Sequence, residues 1–488
     1  MTKLVKNYII AFTIILIGIF LLAHIRPWDD WSGDYAQYIR HAINIANGIS
    51  YGQLGYIFNP QTPAWPQTYP PVFPFLLAPV YKIFGMNTLL MKVEINIFFL
   101  VFLLIFVSLI RQRLSFPSLL ALLLVLSLNP FIAYFKDSIL SDIPFLLFTY
   151  LTMLLIHRFY ERNKSATVFS GLFLGVSMYL SYGTRSIGIV LLPALLAYEF
   201  INQRRISSRT FIAIGIFLLL AVIQEAFFHN DRAYLHVAQH FDIHSLPQTF
   251  RNDLHALFSI WGNSRHHILQ LLLTYSMLFL ALSGFMVQVT RRISIIEIFF
   301  AIYWPSVLIL PTTMYMSTGE GLRYFLPVLP LYMFYIFCGA EFWIMKPVGT
   351  FFSFLRATGF IGLFCLVVLS YGLFYRHWDY RVIDEGPNTK ESREFFDFVR
   401  NNTTSDAIFI FRKPPILALY TGRKASNCVY SSNLEDLWKY IHEINAQYFV
   451  YTETLPDKKY LSSFIAQYQS HLKRVFMNKD FQVFKIVE

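Results

Sequence analysis

The sequence predicts an α-helical polytopic membrane protein of about eleven spans, followed by a small C-terminal soluble α/β domain. Three observations carry this. Hydrophobic residues make up 56% of the 488 and charged residues only 14%, whereas soluble globular chains carry about a quarter charged. Apolar runs of about 17 to 25 residues, the length that crosses a bilayer, recur between residues 8 and 375. After Tyr375 the composition changes, and helix-like and strand-like segments alternate to the end.

The runs fall near 8–25, 88–110, 114–134, 143–160, 165–182, 186–201, 210–229, 267–290, 293–312, 324–344 and 357–375. The first follows Lys3 and Lys6 and ends LLAHIRPW with no small-x-small cleavage site, so it reads as a retained anchor. Lys3, Lys6, Arg111, Arg113, Arg158, Arg162, Lys164, Arg204, Arg205, Arg209, Arg291, Arg292, Lys346 and Arg356 alternate with the runs. All fall on one side if the N-terminus is inside, as the positive-inside rule requires. The formal charge of +11 is therefore an orientation signal and not a nucleic-acid patch. The opposite side receives loops 26–87, 135–142, 183–186, 230–266 and 313–323 and everything after 376, where acids, amides and histidines concentrate. On this reading 1–375 is a transmembrane domain and 376–488 a soluble domain on the outer side.

Residues 26–48, RPWDDWSGDYAQYIRHAINIANG, follow directly on the first span. They predict a short helix over 36–47 with Ile39, Ala42, Ile43 and Ala46 as its apolar stripe, Ser32 as N-cap and Gly48 as C-cap. Such a helix would lie flat on the membrane. Asp34, Tyr38 and His41 share another face. Asp34 reads either as a general base or as a first-turn acid favoured by the helix dipole. Asp29 and Asp30 are the candidates for a divalent cation, but a hard cation needs several more oxygen ligands than can be placed, so no metal is favoured. In loop 52–87, prolines at 60, 63, 66, 70, 71, 74 and 79 exclude a long regular helix. Val72 to Phe84 is too short to span and reads as interfacial or re-entrant.

Three further outer segments carry charge. In KDSILSDIP (136–144), Asp142 precedes Pro144 and reads as a helix start, with Ser141 or Asp142 as cap, or as a second functional acid. Arg185 in YGTRS (182–186) interrupts an apolar stretch and needs an anion or a carboxylate partner; a structural salt bridge and a phosphate contact both fit. Glu320, Arg323 and Tyr324 in GEGLRYFLP (319–327) repeat that logic at the start of a span, with snorkelling as the plain alternative. Two arginines on the side poor in cations favour an anionic ligand. Cys338, Cys365 and Cys428 are far apart and suggest neither a disulfide framework nor a metal site, and His266–His267 lacks a companion ligand. In the C-terminal region, Pro414–Pro415 and Thr421–Lys424 read as a loop.

In order, GDYAQYIRHAINIANG, YPPVFPFLLAPVYKIFG, SILSDIPFLLF, TRSIGIVLLP and GLRYFLPVLP resemble the C-type glycosyltransferases. The bacterial branch is the nearest, with its relatives the protein O-mannosyltransferases and the lipid A aminoarabinose transferases. The resemblance covers most of residues 1–345. It implies sugar transfer from a polyprenyl-phosphate-linked donor to a hydroxyl of an envelope glycan, lipid or protein, on the outer face of a bacterial cytoplasmic membrane. Asp34 matches the base, Asp142 the acid of the second outer loop, and Arg323 with Tyr324 the basic-aromatic pair at the lipid phosphate. Tyr35 and Glu320 join them as substrate-binding candidates. The aminoarabinose enzymes place a lysine before the Pro-Pro pair; here Tyr69 stands there, leaving Lys82, Lys136 or Arg185 to meet the phosphate. A polyprenyl phosphate leaves without a general acid, so one carboxylate suffices. A lipid-linked substrate transporter or flippase is the alternative, and an inactive relative acting through its outer domain is a third.

Overall fold

The structure, a computed structural model, describes residues 2–62, 65–162, 168–228, 247–248, 267–309, 321–345, 350–377, 385–431, 433–455 and 458–487. Loop 230–266, apart from Pro247 and Gln248, lies outside them, as do Glu320 and His266.

Each predicted run carries a helix. These are α1 (Lys3–Ala23), α4 (Thr88–Ile110), α5 (Phe116–Ser127) with α6 (Pro130–Lys136), α7 (Asp142–Ile156), α8 (Val168–Thr184), α9 (Leu191–Gln203), α10 (Ser208–Phe228), α11 (His267–Arg291), α12 (Ile295–Ile309), α13 (Leu329–Met345) and α14 (Thr350–His377). Among the described residues seven segments are long and apolar enough to cross a membrane. The pair α5–α6, bent by 57°, makes an eighth if it is one broken span. The bend falls where Asn129 caps α6 and Pro130 begins it, so the ladder is interrupted by a residue without an N–H. The stretches Val168–Thr184, Ile295–Val307 and Leu329–Ile344 are shorter apolar helices. α11 and α13 approach closely, because a Cβ on Gly284 would meet the Tyr335 carbonyl at 1.9 Å.

The helix predicted over 36–47 is α2 (Gly33–Asn47), with Ser32 at the N-cap and Gly48 in the left-handed C-cap position at φ 65°. It does not lie on a surface. It packs against α3 (Val72–Phe84) and against a helix of the C-terminal region. Tyr38 and His41, on the face taken as polar, are buried, as is Tyr35 just ahead of the predicted helix. The amphipathic pattern misled because these tyrosines and the histidine find partners inside the protein, so their faces need no water.

After α14 come α15 (Lys390–Asn402), β2 (Ile408–Ile410), α16 (Pro414–Thr421), β3 (Lys424–Ser426), α17 (Leu434–Glu443), β4 (Tyr448–Thr452), α18 (Lys458–Gln467), β5 (Leu472–Met477) and β6 (Phe481–Ile486). Pro414–Pro415 begins a helix where a loop was expected, since proline at the first helical positions gives up no intrahelical bond, and Gly422 ends it at φ 71°. The sheet has six strands in the order β1–β3–β2–β4–β6–β5, and the edge strand β1 (Tyr56–Ile57) comes from the proline-rich first loop. β1 runs parallel to β3, with Tyr56 opposite Ala425. Trp31, just ahead of α2, sits among Phe396, Phe411 and Phe481. The first loop is thus sewn into the C-terminal sheet by a strand and an aromatic plug, which sets α2 between the helical bundle and the sheet region.

Candidate active site

Four helix ends converge beside α2: the N-terminus of α7, the C-terminus of α8, and the 3₁₀ turns Ser186–Val190 and Gly321–Phe325. Asp142 is the first residue of α7, with a side chain 2% exposed. The α7 dipole favours a carboxylate there, but a charge so deep needs partners. Arg185 Nη1 donates to its Oδ1 at 2.5 Å. Arg323 Nε donates to both of its oxygens, at 3.0 and 2.8 Å. Asp142 is therefore the helix start that the sequence suggested, and it is also the acid on which Arg185 and Arg323 meet. Ser141 holds the N-cap without a capping bond; its hydroxyl instead pairs with Tyr38 Oη at 2.8 Å.

Asp34 lies in the first turn of α2 and is bound from two sides. Arg323 Nη1 donates to Oδ2, and Tyr69 Oη donates to Oδ1 at 2.9 Å. Burial raises the Asp34 pKa, but the Arg323 charge and hydrogen bond, the Tyr69 hydrogen bond and the Arg185 charge outweigh it. The net effect holds the carboxyl below its ordinary value. Arg185 also lies 4.7 Å from the Tyr324 ring centroid, and the Tyr324 carbonyl accepts from Tyr303 Oη at 3.0 Å. Two carboxylates and two guanidinium groups make a neutral cluster, in which Arg323 spans both acids.

The other predicted residues scatter. Lys82, in the last turn of α3, is exposed. Lys136 is buried, with Nζ directed at the carbonyls of Leu21 and His24 at 3.4 and 3.5 Å. Tyr35 lines a small hollow with Asp29, Lys92 and Asp137. Asp29 Oδ1 lies 3.1 Å from Lys92 Nζ, while Asp30 accepts from Ser32 N–H at 2.8 Å and Tyr134 Oη at 3.2 Å. Among the described residues no group of three or more His, Cys, Asp or Glu side chains is arranged to hold a metal ion.

Sequence reasoning missed a second ionic layer: Lys92 with Asp29, and Arg26 with Asp137. The signal was Lys92, with Glu94 and Asn96 close after it, near the start of a mostly apolar run. The same reasoning read Ser141 only as a cap and missed Tyr303, which carries no pattern of its own. An apolar hollow of about 370 Å³ between α5, α11, α13 and α14 shares no residue with the ionic cluster.

Residues 68–226, which include Tyr69, Asp142 and Arg185, match the family model described as dolichyl-phosphate-mannose-protein mannosyltransferase. No curated protein matches the chain by sequence. Among solved structures, the archaeal oligosaccharyltransferase AglB from Archaeoglobus fulgidus, in complex with an inhibitory peptide and a dolichol-phosphate, superposes with a TM-score of 0.62 at 12% identity, covering 96% of this chain and 73% of that one. ArnT from Cupriavidus metallidurans bound to undecaprenyl phosphate gives 0.55 at 12% identity, covering 99% and 98%. The same ArnT in its apo state gives 0.55, covering 98% and 97%. The fold is that of the C-type membrane glycosyltransferases, as the ordered motifs suggested. Within that class the chain is similar to protein mannosyltransferases over residues 68–226 and to ArnT over nearly its whole length.

Proposed function

We propose that the protein transfers a sugar from a polyprenyl-phosphate carrier to an acceptor hydroxyl, with Asp34 as the base. The observation that carries this reading is Arg323 shared between Asp34 and Asp142. A cluster already neutral has no spare cation for an incoming phosphate, so a donor phosphate must compete for Arg323. When it does, Asp142 keeps Arg185, and Asp34 Oδ2 is uncovered while Tyr69 still holds Oδ1. A base is then released where the leaving group is bound.

The acceptor hydroxyl gives its proton to Asp34 Oδ2 as its oxygen bonds to the anomeric carbon. The bond from that carbon to the phosphate oxygen breaks, and polyprenyl phosphate departs with the electron pair, its charge stabilised by Arg185 and Arg323. One displacement inverts the anomeric centre. No step passes through a metal, because the arginines supply the charge that one would bring. The dolichol-phosphate and undecaprenyl phosphate of the structural neighbours support a lipid-phosphate donor. By basic-residue asymmetry the N-terminus is cytoplasmic, and the site and C-terminal region face outward from a bacterial cytoplasmic membrane. The acceptor is an envelope glycan, lipid or protein.

The test is turnover of a panel of polyprenyl-phosphate sugars by the purified protein with envelope extract, reading free polyprenyl phosphate and the anomeric configuration of the product. Release with inversion is expected. Release with retention would overturn the single displacement, and movement of donor across vesicles without any transfer would favour a flippase.

A further inference from the structure

Tyr69 is held at three points. Pro70 and Pro71 follow it and have no N–H, so this stretch cannot be secured by a backbone ladder. The Tyr69 N–H instead donates to Nε2 of His41 at 3.2 Å, and its carbonyl accepts from Tyr51 Oη at 2.7 Å. Its own hydroxyl ends on Asp34 Oδ1. The loop closes on itself, because His41 Nδ1 pairs with the Tyr51 carbonyl at 3.0 Å and the two rings stack with centroids 4.0 Å apart. Asn44, one turn along α2, fixes the Tyr51 segment through the carbonyls of Ser50 and Gln53 at 3.1 and 2.9 Å.

The two contacts of His41 settle its tautomer. Nε2 accepts from a backbone amide, so the proton is on Nδ1, donated to the Tyr51 carbonyl. Burial pushes the imidazole pKa down to about 3, so the ring is neutral where the protein works. A neutral, fully bonded histidine with no exposed surface is neither an acid nor a base for the substrate. What remains is its geometry.

We infer that His41 and Tyr51 are positioning residues of the transfer reaction, clamping the Tyr69 backbone so that its hydroxyl keeps Asp34 oriented once Arg323 has left for the donor phosphate. The inference rests on Asp34 being the base. The groups facing Asp34 are Arg323, Tyr69 and Arg185; once Arg323 turns to the phosphate and Arg185 stays on Asp142, Tyr69 is the one that still hydrogen-bonds Asp34. Loosening Tyr69 removes a donor that lowers the Asp34 pKa, so the acid limb of the rate profile must move up. Donor affinity, set by the arginines, must not change.

The experiment compares full-length wild type with His41→Phe, His41→Gln, Tyr51→Phe, Tyr69→Phe and the His41→Phe/Tyr69→Phe double variant. It measures kcat, donor KM and the acid limb of kcat against pH, using the donor that wild type turns over. His41→Phe, Tyr51→Phe and Tyr69→Phe are each expected to lower kcat about tenfold and to raise the acid limb by roughly half to one pH unit, with donor KM within about twofold. His41→Gln, which keeps an acceptor, should recover most of the loss. The double variant should be no worse than Tyr69→Phe, because the pair acts through one contact. A wild-type kcat and acid limb in the folded single variants, or losses that multiply in the double, would overturn the inference. Should His41→Phe fail to fold, Tyr51→Phe, which keeps the ring stack, decides alone. Asp34→Asn run alongside separates the two claims: if it still transfers, the base assignment has failed, whereas its inactivity beside wild-type-like clamp variants sinks only the clamp.

Discussion

Arg323 donates through Nη1 to Oδ2 of Asp34 while its Nε holds both oxygens of Asp142. One side chain on the turn before α13 therefore ties the first helix after α1 to the start of α7. Its side chain is 22% exposed, with Asp34 at 18% and Asp142 at 2%, so a ligand can reach Arg323 where it cannot reach Asp142. Removing it leaves a buried carboxylate with one partner in place of two. Arg323→Ala is expected to destabilise the fold by on the order of 3 kcal/mol, read as a lowered thermal midpoint, and to raise donor KM by ten-fold or more. Arg323→Lys, with a point charge in place of a planar fork, can serve one acid but not both, and should recover stability better than donor KM. An Ala variant with wild-type stability and KM would remove Arg323 from both roles.

The depressed Asp34 pKa has a signed consequence for stability. Burial opposes ionisation, but Arg323, Tyr69 and Arg185 together outweigh it, so folding favours the charged form. The contribution is present above the unfolded value of about 4 and is lost as pH falls through the lower native value. The thermal midpoint of wild type relative to Asp34→Asn should be constant above about pH 4 and should decline below it. A difference that instead begins to shrink well above that point would mean that the native carboxyl is not held down.

Transfer is expected to persist in EDTA at unchanged kcat, since Arg185 and Arg323 supply the cationic charge. Loss of activity restored by a divalent cation would bring Asp29 and Asp30 back as candidate ligands.

Helix packing yields a test remote from the site. A Cβ on Gly284 would lie 1.9 Å from the Tyr335 carbonyl, whereas one on Gly372 meets nothing within 4 Å. Gly284→Ala must force α11 from α13, with a loss at or above the upper end of about 1–3 kcal/mol for overpacking. Gly372→Ala should be neutral or slightly stabilising. Equal midpoints for the two variants would show that α11 and α13 do not pack this closely.

Much of the bundle was legible because a bilayer leaves one signal, a long apolar run, and each such run carries a helix. The acids and arginines of the cluster were legible for the complementary reason: Arg185 and Asp142 stand out against apolar surroundings and need partners. What the sequence concealed was pairing. Nothing local says that Arg323 would take two acids 181 and 289 residues away, nor that Tyr56–Ile57 would join a sheet whose other strands lie beyond residue 407. The exposed-helix reading of α2 failed because periodicity reports polarity and not what the polar groups meet. Lys82 and Lys136 were chosen by charge and place in the chain, but one is exposed on α3, outside the ionic cluster, and the other is spent on carbonyls of α1 and its cap.

The most direct measurement is sugar transfer and polyprenyl phosphate release by wild type and by Asp34→Asn, matched for membrane insertion and thermal midpoint. With Asp34 as the base, wild type should turn over at least one lipid-phosphate sugar, and the variant should be slower by about 10²-fold to 10⁴-fold while still binding the donor. Equal rates in the two proteins would contradict the assignment of Asp34 as the base.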